Sequence, residues 1–158
     1  LSAGNHYLYI KYIKDGSRAS GNDCSKFKIH FLSSLPSVLE SSYSVTNKGD
    51  YGFISSNDGY YYSNNNGVND SVAVAQVTVK ANGVDRIYID LYQSGEVNCD
   101  YGLISTLGAT LTTTNTVDTT NVLKNCQSLA NHTLESVDLG VLPMGTYTFY
   151  IKFRKDGS

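Results

Sequence analysis

"TYTFYIKFR" occupies residues 146–154, and its alternation decides the fold class. Tyr147, Phe149, Ile151 and Phe153 fall on one side, and Thr146, Thr148, Tyr150, Lys152 and Arg154 on the other. A period of two marks a strand with one face buried. The pattern recurs along the chain. "RIYIDLY" turns Ile87, Ile89 and Leu91 inward, "KFKIHF" does so with Phe27, Ile29 and Phe31, and "VAVAQVTVKA" (72–81) with Ala73, Ala75, Val77 and Val79. Shorter blocks at 7–13, 51–55, 59–63, 101–105 and 133–139 read as further strands.

The connections "SNDGY", "SNNNGVND", "KANGVD", "QSGEVNCD" and "KDGSRASGND" supply the Gly and Asn that tight turns with positive φ require. Only "VDTTNVLKNCQ" (117–127) suggests a helical turn, with Asp118 or Thr119 as its cap. The expected class is all-β: a two-sheet antiparallel sandwich, jelly-roll-like, with an N-terminal β-hairpin arm.

The same stretch occurs twice. "LSAGNHYLYIKYIKDGS" (1–17) aligns without gaps on "LPMGTYTFYIKFRKDGS" (142–158), an offset of 141 residues with nine identities in seventeen. The chain therefore reads as one period plus an overlap. Three segments are expected: an N-terminal hairpin arm (1–32) equivalent to the end of a preceding repeat, a Ser- and Pro-bearing linker (33–48), and a sandwich (49–158) lacking its last strand.

After the first copy comes a closing strand around Phe27, Ile29 and Phe31; the second copy, at the end of this sequence, has no counterpart to it. Leaving those side chains in water forgoes about 1.5–3 kcal/mol each. Tyr7, Leu8, Tyr9, Ile10, Phe27, Ile29 and Phe31 are thus expected to form an assembly strand. Tyr147, Phe149, Ile151 and Phe153 are expected to offer the acceptor edge. Three arrangements satisfy the pattern: a tandem array, separate subunits that donate strands, or an arm that folds back on its own sandwich. The first two make head-to-tail contacts that propagate into a homopolymer unless they close a ring.

With 158 residues, 41% apolar and 16% charged, the chain can bury a core and does not read as disordered. A net charge of −2 without a basic run gives nucleic acid no electrostatic footprint, and no apolar run reaches the roughly 20 residues of a membrane span. Leu1 stands inside a repeat, so an upstream secretion signal is compatible with this window. Thirteen Tyr, no Trp and abundant Ser, Thr, Asn and Gly suit an extracellular, cell-surface or virion-surface location.

The stretches "GYYYSNNNGVNDSVAVAQVTV" (59–79), "CDYGLISTLGATLTTTNTVDTTNVLKN" (99–125), "GTYTFYIKFRKDGS" (145–158) and "GNDCSKFKI" (21–29) together resemble a domain that recurs in large surface proteins of gut bacteria and in virion proteins of their phages. The shared motifs are a DYG step, a G-T-Y strand leading into KDGS, then GND and an alternating strand. They are structural motifs, so the resemblance implies a surface-appendage role and no particular chemistry. Gly108, where an acidic residue is expected, and Cys24, where serine is usual, depart from the pattern.

Candidate chemistry is sparse. Cys24, Cys99 and Cys126 are an odd set; a Cys99–Cys126 disulfide or three separate thiols both fit, with Cys24 read alternatively as part of another module. Asp100, or Asp15 with Asn22 and Asp23, provides oxygen ligands for calcium without a fixed spacing. His6, His30 and His132 lack zinc-site spacing, no nucleophile elbow occurs, and Glu96, Asp90 and Asp100 are not arranged as a glycosidase pair. No enzyme activity, cofactor or metal is expected.

Tyr60, Tyr61 and Tyr62 are candidates for stacking on sugar or for an inter-subunit contact. Asn69 and Asn131 head glycosylation sequons. The expected function is a structural subunit or tandem repeat of a surface filament joined by strand sharing. The alternative is a carbohydrate-binding or adhesive module.

Overall fold

The computed structural model describes residues 9–12, 24–33, 40–94, 101–106 and 133–154. Ten strands carry this part of the chain: β1 (Tyr9–Tyr12), β2 (Cys24–Leu32), β3 (Ser42–Asn47), β4 (Phe53–Ser55), β5 (Tyr61–Ser63), β6 (Val72–Ala81), β7 (Arg86–Ser94), β8 (Tyr101–Ser105), β9 (Thr133–Val141) and β10 (Gly145–Arg154). They form two antiparallel five-stranded sheets packed as a sandwich. Sheet one runs β1-β8-β10-β6-β3, and sheet two runs β9-β7-β2-β5-β4.

Alternation puts the expected side chains in the core. Ala73, Ala75, Val77 and Val79 of β6, Ile87, Ile89 and Leu91 of β7, and Phe149, Ile151 and Phe153 of β10 are fully buried between the sheets. Phe27 of β2 joins them, its ring edge-on to Phe53 at 5.2 Å and stacked on Tyr61 at 5.2 Å. Tyr147 lies in the same layer and places its hydroxyl on the carbonyl of Pro143 at 2.7 Å, so its polar tip is satisfied while its ring packs.

Two connections show why the turns fall where they do. Between β6 and β7, the Asn82 side-chain Oδ1 accepts the amides of Val84 and Asp85 at 2.9 Å each, around Gly83 at φ +85°. That turn is tied to the entry of β3, because Ser41 donates its amide to Asp85 and its hydroxyl oxygen accepts from the Asn82 amide, both at 3.1 Å. Before β4, Gly52 passes so close to Asn47 that a Cβ there would lie 2.1 Å from the Asn47 Cγ. The Asn47 side-chain Oδ1 accepts the Phe53 amide at 2.8 Å, which fixes that approach.

The chain departs from the expected division at three points. Of the expected hairpin arm, Tyr9–Tyr12 and 26–32 do not pair with each other, since β1 lies in sheet one and β2 in sheet two. The 33–48 segment is more than a linker. Its residues 42–47 form β3, which pairs with β6 and turns Tyr43 and Val45 toward the core.

The third departure concerns the acceptor edge. β10, which holds Tyr147, Phe149, Ile151 and Phe153, is internal, paired with β6 on one side and β8 on the other. The closing strand at 26–31 is likewise internal. β2 takes the middle of sheet two, between β7 and β5, so the arrangement present in this single chain is the folded-back one. The 117–127 stretch lies outside the described residues.

Candidate functional site

Two places on the sandwich gather the residues singled out by the sequence: the position beside β8, and the outer face of sheet two.

At β8 the two copies of the repeated strand meet one partner. In β10, Tyr150, Ile151, Lys152 and Phe153 stand opposite Ser105, Ile104, Leu103 and Gly102. In β1, Tyr9, Ile10, Lys11 and Tyr12 stand opposite the same four residues in the same order. The two copies share one register on β8, which lies between them in the sheet order.

Register also explains what each copy contributes. β10 pairs with β6 from Gly145↔Ala81 to Arg154↔Val72, whereas β1 pairs only through Tyr9–Tyr12. β10 is held by two ladders and β1 by one short one. Across the core, β2 is held along its whole length by β7, from Cys24↔Ser94 to Leu32↔Arg86. Of the expected assembly residues, Phe27 and Ile29 are buried and Phe31 half-buried against the core. Tyr9 and Ile10 lie in β1, and Tyr7 and Leu8 lie outside the described residues.

On the outer face of sheet two, Lys26 is surrounded by rings. Its ammonium stands 4.4 Å from the centroid of Tyr60, 5.0 Å from Tyr62 and 4.9 Å from Tyr92. β2 brings this about, because Lys26 is the register partner of Tyr62 on β5 and of Tyr92 on β7. The ammonium donates to the Tyr62 hydroxyl at 3.0 Å, and that hydroxyl donates to Asp58 at 2.6 Å. The bond to Tyr62 holds the Lys26 pKa above its ordinary value against the opposing effect of burial, with the charges of Tyr62, Asp58 and Tyr60 adding to it. The bond from Tyr62 and the amide of Tyr60 draw Asp58 below the usual carboxylate range.

The three consecutive tyrosines therefore have different jobs. Tyr60 and Tyr62 flank Lys26 on the outside, and Tyr61 packs on Phe27 inside. Further along the same face, His30 stacks on Tyr88 at 5.2 Å and its Nδ1 lies 3.2 Å from Asp90. Lys26, Asp58 and Tyr92 were not singled out by sequence reading. The outward phase of Lys26 and Tyr92 was legible, but their meeting depends on inter-strand register, which alternation does not supply.

Asn69 is exposed in a turn beside Asp70, whose φ of 49° is left-handed, so its sequon is accessible. Cys24 opens β2 and is half-buried. Cys99, Cys126, Asn131, Asp15, Asn22, Asp23, Glu96, Asp100, His6 and His132 lie outside the described residues. Among the described residues no three His, Cys, Asp or Glu side chains group so as to hold a metal ion, and no helix is long and apolar enough to cross a membrane. Comparison of the chain with family models, curated proteins and solved structures finds no match.

Proposed function

We propose that this chain is a structural module of an extracellular or virion-surface filament, joined head to tail to further copies of itself by strand sharing. The observation that carries the reading is the shared register of Tyr9–Tyr12 and Tyr150–Phe153 on β8. A strand duplicated one period away, pairing with β8 in the same register, suits a polymer in which equivalent strands of successive copies are interchangeable. Head-to-tail contacts of this kind propagate without a symmetry stop. The neutral surface, rich in Ser, Thr, Asn and Tyr, suits exposure outside the cell. No catalytic step is assigned to it. Negative-stain microscopy of native material tests the reading: filaments are expected, and dispersed globules contradict it.

A second reading rests on the outer face of sheet two. Tyr60, Tyr62 and Tyr92 offer rings beside Lys26 and Asp58, the mixture of flat apolar faces and hydrogen-bonding groups that sugars require. Under that reading the module is carbohydrate-binding or adhesive. Glycan-array binding that is lost in Tyr60→Ala and Tyr62→Ala, in protein that stays monomeric, would favour it over the filament.

A further inference from the structure

We propose that the outer face of sheet two takes a carboxylated sugar, with Lys28 holding the carboxylate beside the Tyr60 ring. This inference rests on the carbohydrate-binding reading and names the class of sugar for it.

Alternation along β2 places Lys26, Lys28 and His30 on the outside, while Phe27 and Ile29 are buried. Same-side residues of a strand stand about 7 Å apart, so Lys28 lies in the middle of that row. On β7, the register partners of Lys26, Lys28 and His30 are Tyr92, Asp90 and Tyr88. On the other side, the turn before β5 brings up Asp58, Gly59 and Tyr60. It is closed by the Ser56 amide on the Tyr60 carbonyl at 2.8 Å and the Gly59 amide on the Ser56 carbonyl at 3.0 Å.

The carboxylates of this face are already engaged. Asp58 accepts from the Tyr62 hydroxyl at 2.6 Å and lies 3.9 Å from the Lys26 ammonium. Asp90 stands opposite Lys28 in register, yet its carboxylate lies 3.2 Å from His30 Nδ1. Asp138 holds Arg86 through both oxygens. Among the described residues, no carboxylate pairs with Lys28. Its ammonium stands 5.7 Å from the centroid of Tyr60, the ring that Lys26 approaches to 4.4 Å. Two ammonium groups thus share one ring and one carboxylate, Asp58, and a positive charge is left over.

A glycine keeps that charge open to solvent. Gly59 is exposed at φ +81°, and a Cβ there would come 3.4 Å from the Lys28 ammonium. The missing side chain leaves room for a ligand oxygen on that side of the nitrogen. A hydrogen bond from an ammonium to a carboxylate is charge-assisted and among the stronger polar contacts. Alongside, the half-buried rings of Tyr60, Tyr62 and Tyr92 offer flat apolar surface to a sugar ring. A bare anion would gain nothing from those rings, and a neutral sugar nothing from Lys28. An acidic sugar uses both.

A glycan array printed as matched pairs, each uronate- or sialate-bearing glycan beside its methyl ester, tests this on the 1–158 chain. Esterification removes the charge and keeps the sugar. At low ionic strength the acids are expected to bind about tenfold more tightly than their esters, the scale of one hydrogen bond to a charged group. That preference should shrink as salt screens it. Lys28→Gln is expected to abolish the preference and Lys28→Arg to keep it. Lys80→Gln, which removes an exposed charge on sheet one, should leave it unchanged. A preference that survives Lys28→Gln overturns the proposal. Equal binding of acids and esters, lost in Tyr60→Ala, also overturns it and leaves the carbohydrate reading standing. Binding of no glycan at all overturns both.

Discussion

Ile151 of β10 and Ile104 of β8 stand opposite one another, and Ile104 is also the register partner of Ile10, the residue that matches Ile151 in the repeat. One isoleucine faces two copies of the same residue, 141 positions apart.

Phe27 is fully buried against Phe53 and Tyr61, while Leu32, at the end of the same strand, is 60% exposed. Phe27→Ala removes a large ring from a packed layer and is expected to cost about 3–5 kcal/mol of unfolding free energy. Leu32→Ala is expected to stay within about 0.5 kcal/mol of the parent. Urea denaturation separates the two; similar costs would mean that β2 is not part of the core.

Gly52→Ala forces the Asn47 side chain off the Phe53 amide, since the new Cβ occupies its place. An amide left without its partner costs about 1–3 kcal/mol. Asn47→Gly removes the same bond together with the Cβ that would stand in the way of the new one, and is expected to cost a similar amount. The double variant should then cost little more than either alone, the mark of two residues acting through one contact. Full additivity in the denaturation cycle would contradict that geometry.

Asp85 makes the entry to β3 sensitive to acid. Burial disfavours its charge, but hydrogen bonds from Ser41, Asn82 and Ser33 outweigh that, and its pKa lies below the ordinary value. A carboxylate whose pKa is lowered by folding stabilises the protein above its unfolded pKa of about 3.9, and the benefit is lost as pH falls through the folded value. Asp85→Asn is therefore expected to be less stable than the parent near neutrality, with the difference shrinking below about pH 4. A difference constant from pH 7 to pH 3 would count against this role.

Lys26 should resist amine-modifying reagents. Its bond to Tyr62 keeps the ammonium protonated to higher pH, so less free amine is present at a given pH than on an ordinary lysine. Limited acetylation followed by peptide mass spectrometry should label exposed Lys80 before Lys26. Tyr62→Phe, which removes the hydroxyl and retains the ring, should narrow that gap. Unchanged protection in the variant would assign it to ring contact alone.

Much of the fold was legible because alternation reports a physical constraint directly: a strand with one wet face must repeat every two residues. The core sides of β6, β7 and β10 were assigned this way, residue by residue, and lie where they were expected. Pro36 and the surrounding serines dominate 33–48 and hide β3, an edge strand from which only Tyr43 and Val45 reach the core. The pairing of strands was not legible, since register arises between distant segments. For the same reason alternation puts Lys26 on the outward side of its strand but does not show that β5 and β7 bring three tyrosines around it.

The most direct test of head-to-tail assembly is light scattering of the 1–158 chain across a wide range of concentration. The account predicts a mass that rises with concentration as copies add to one another. A single sharp monomer at every concentration, unfolding cooperatively, would contradict it.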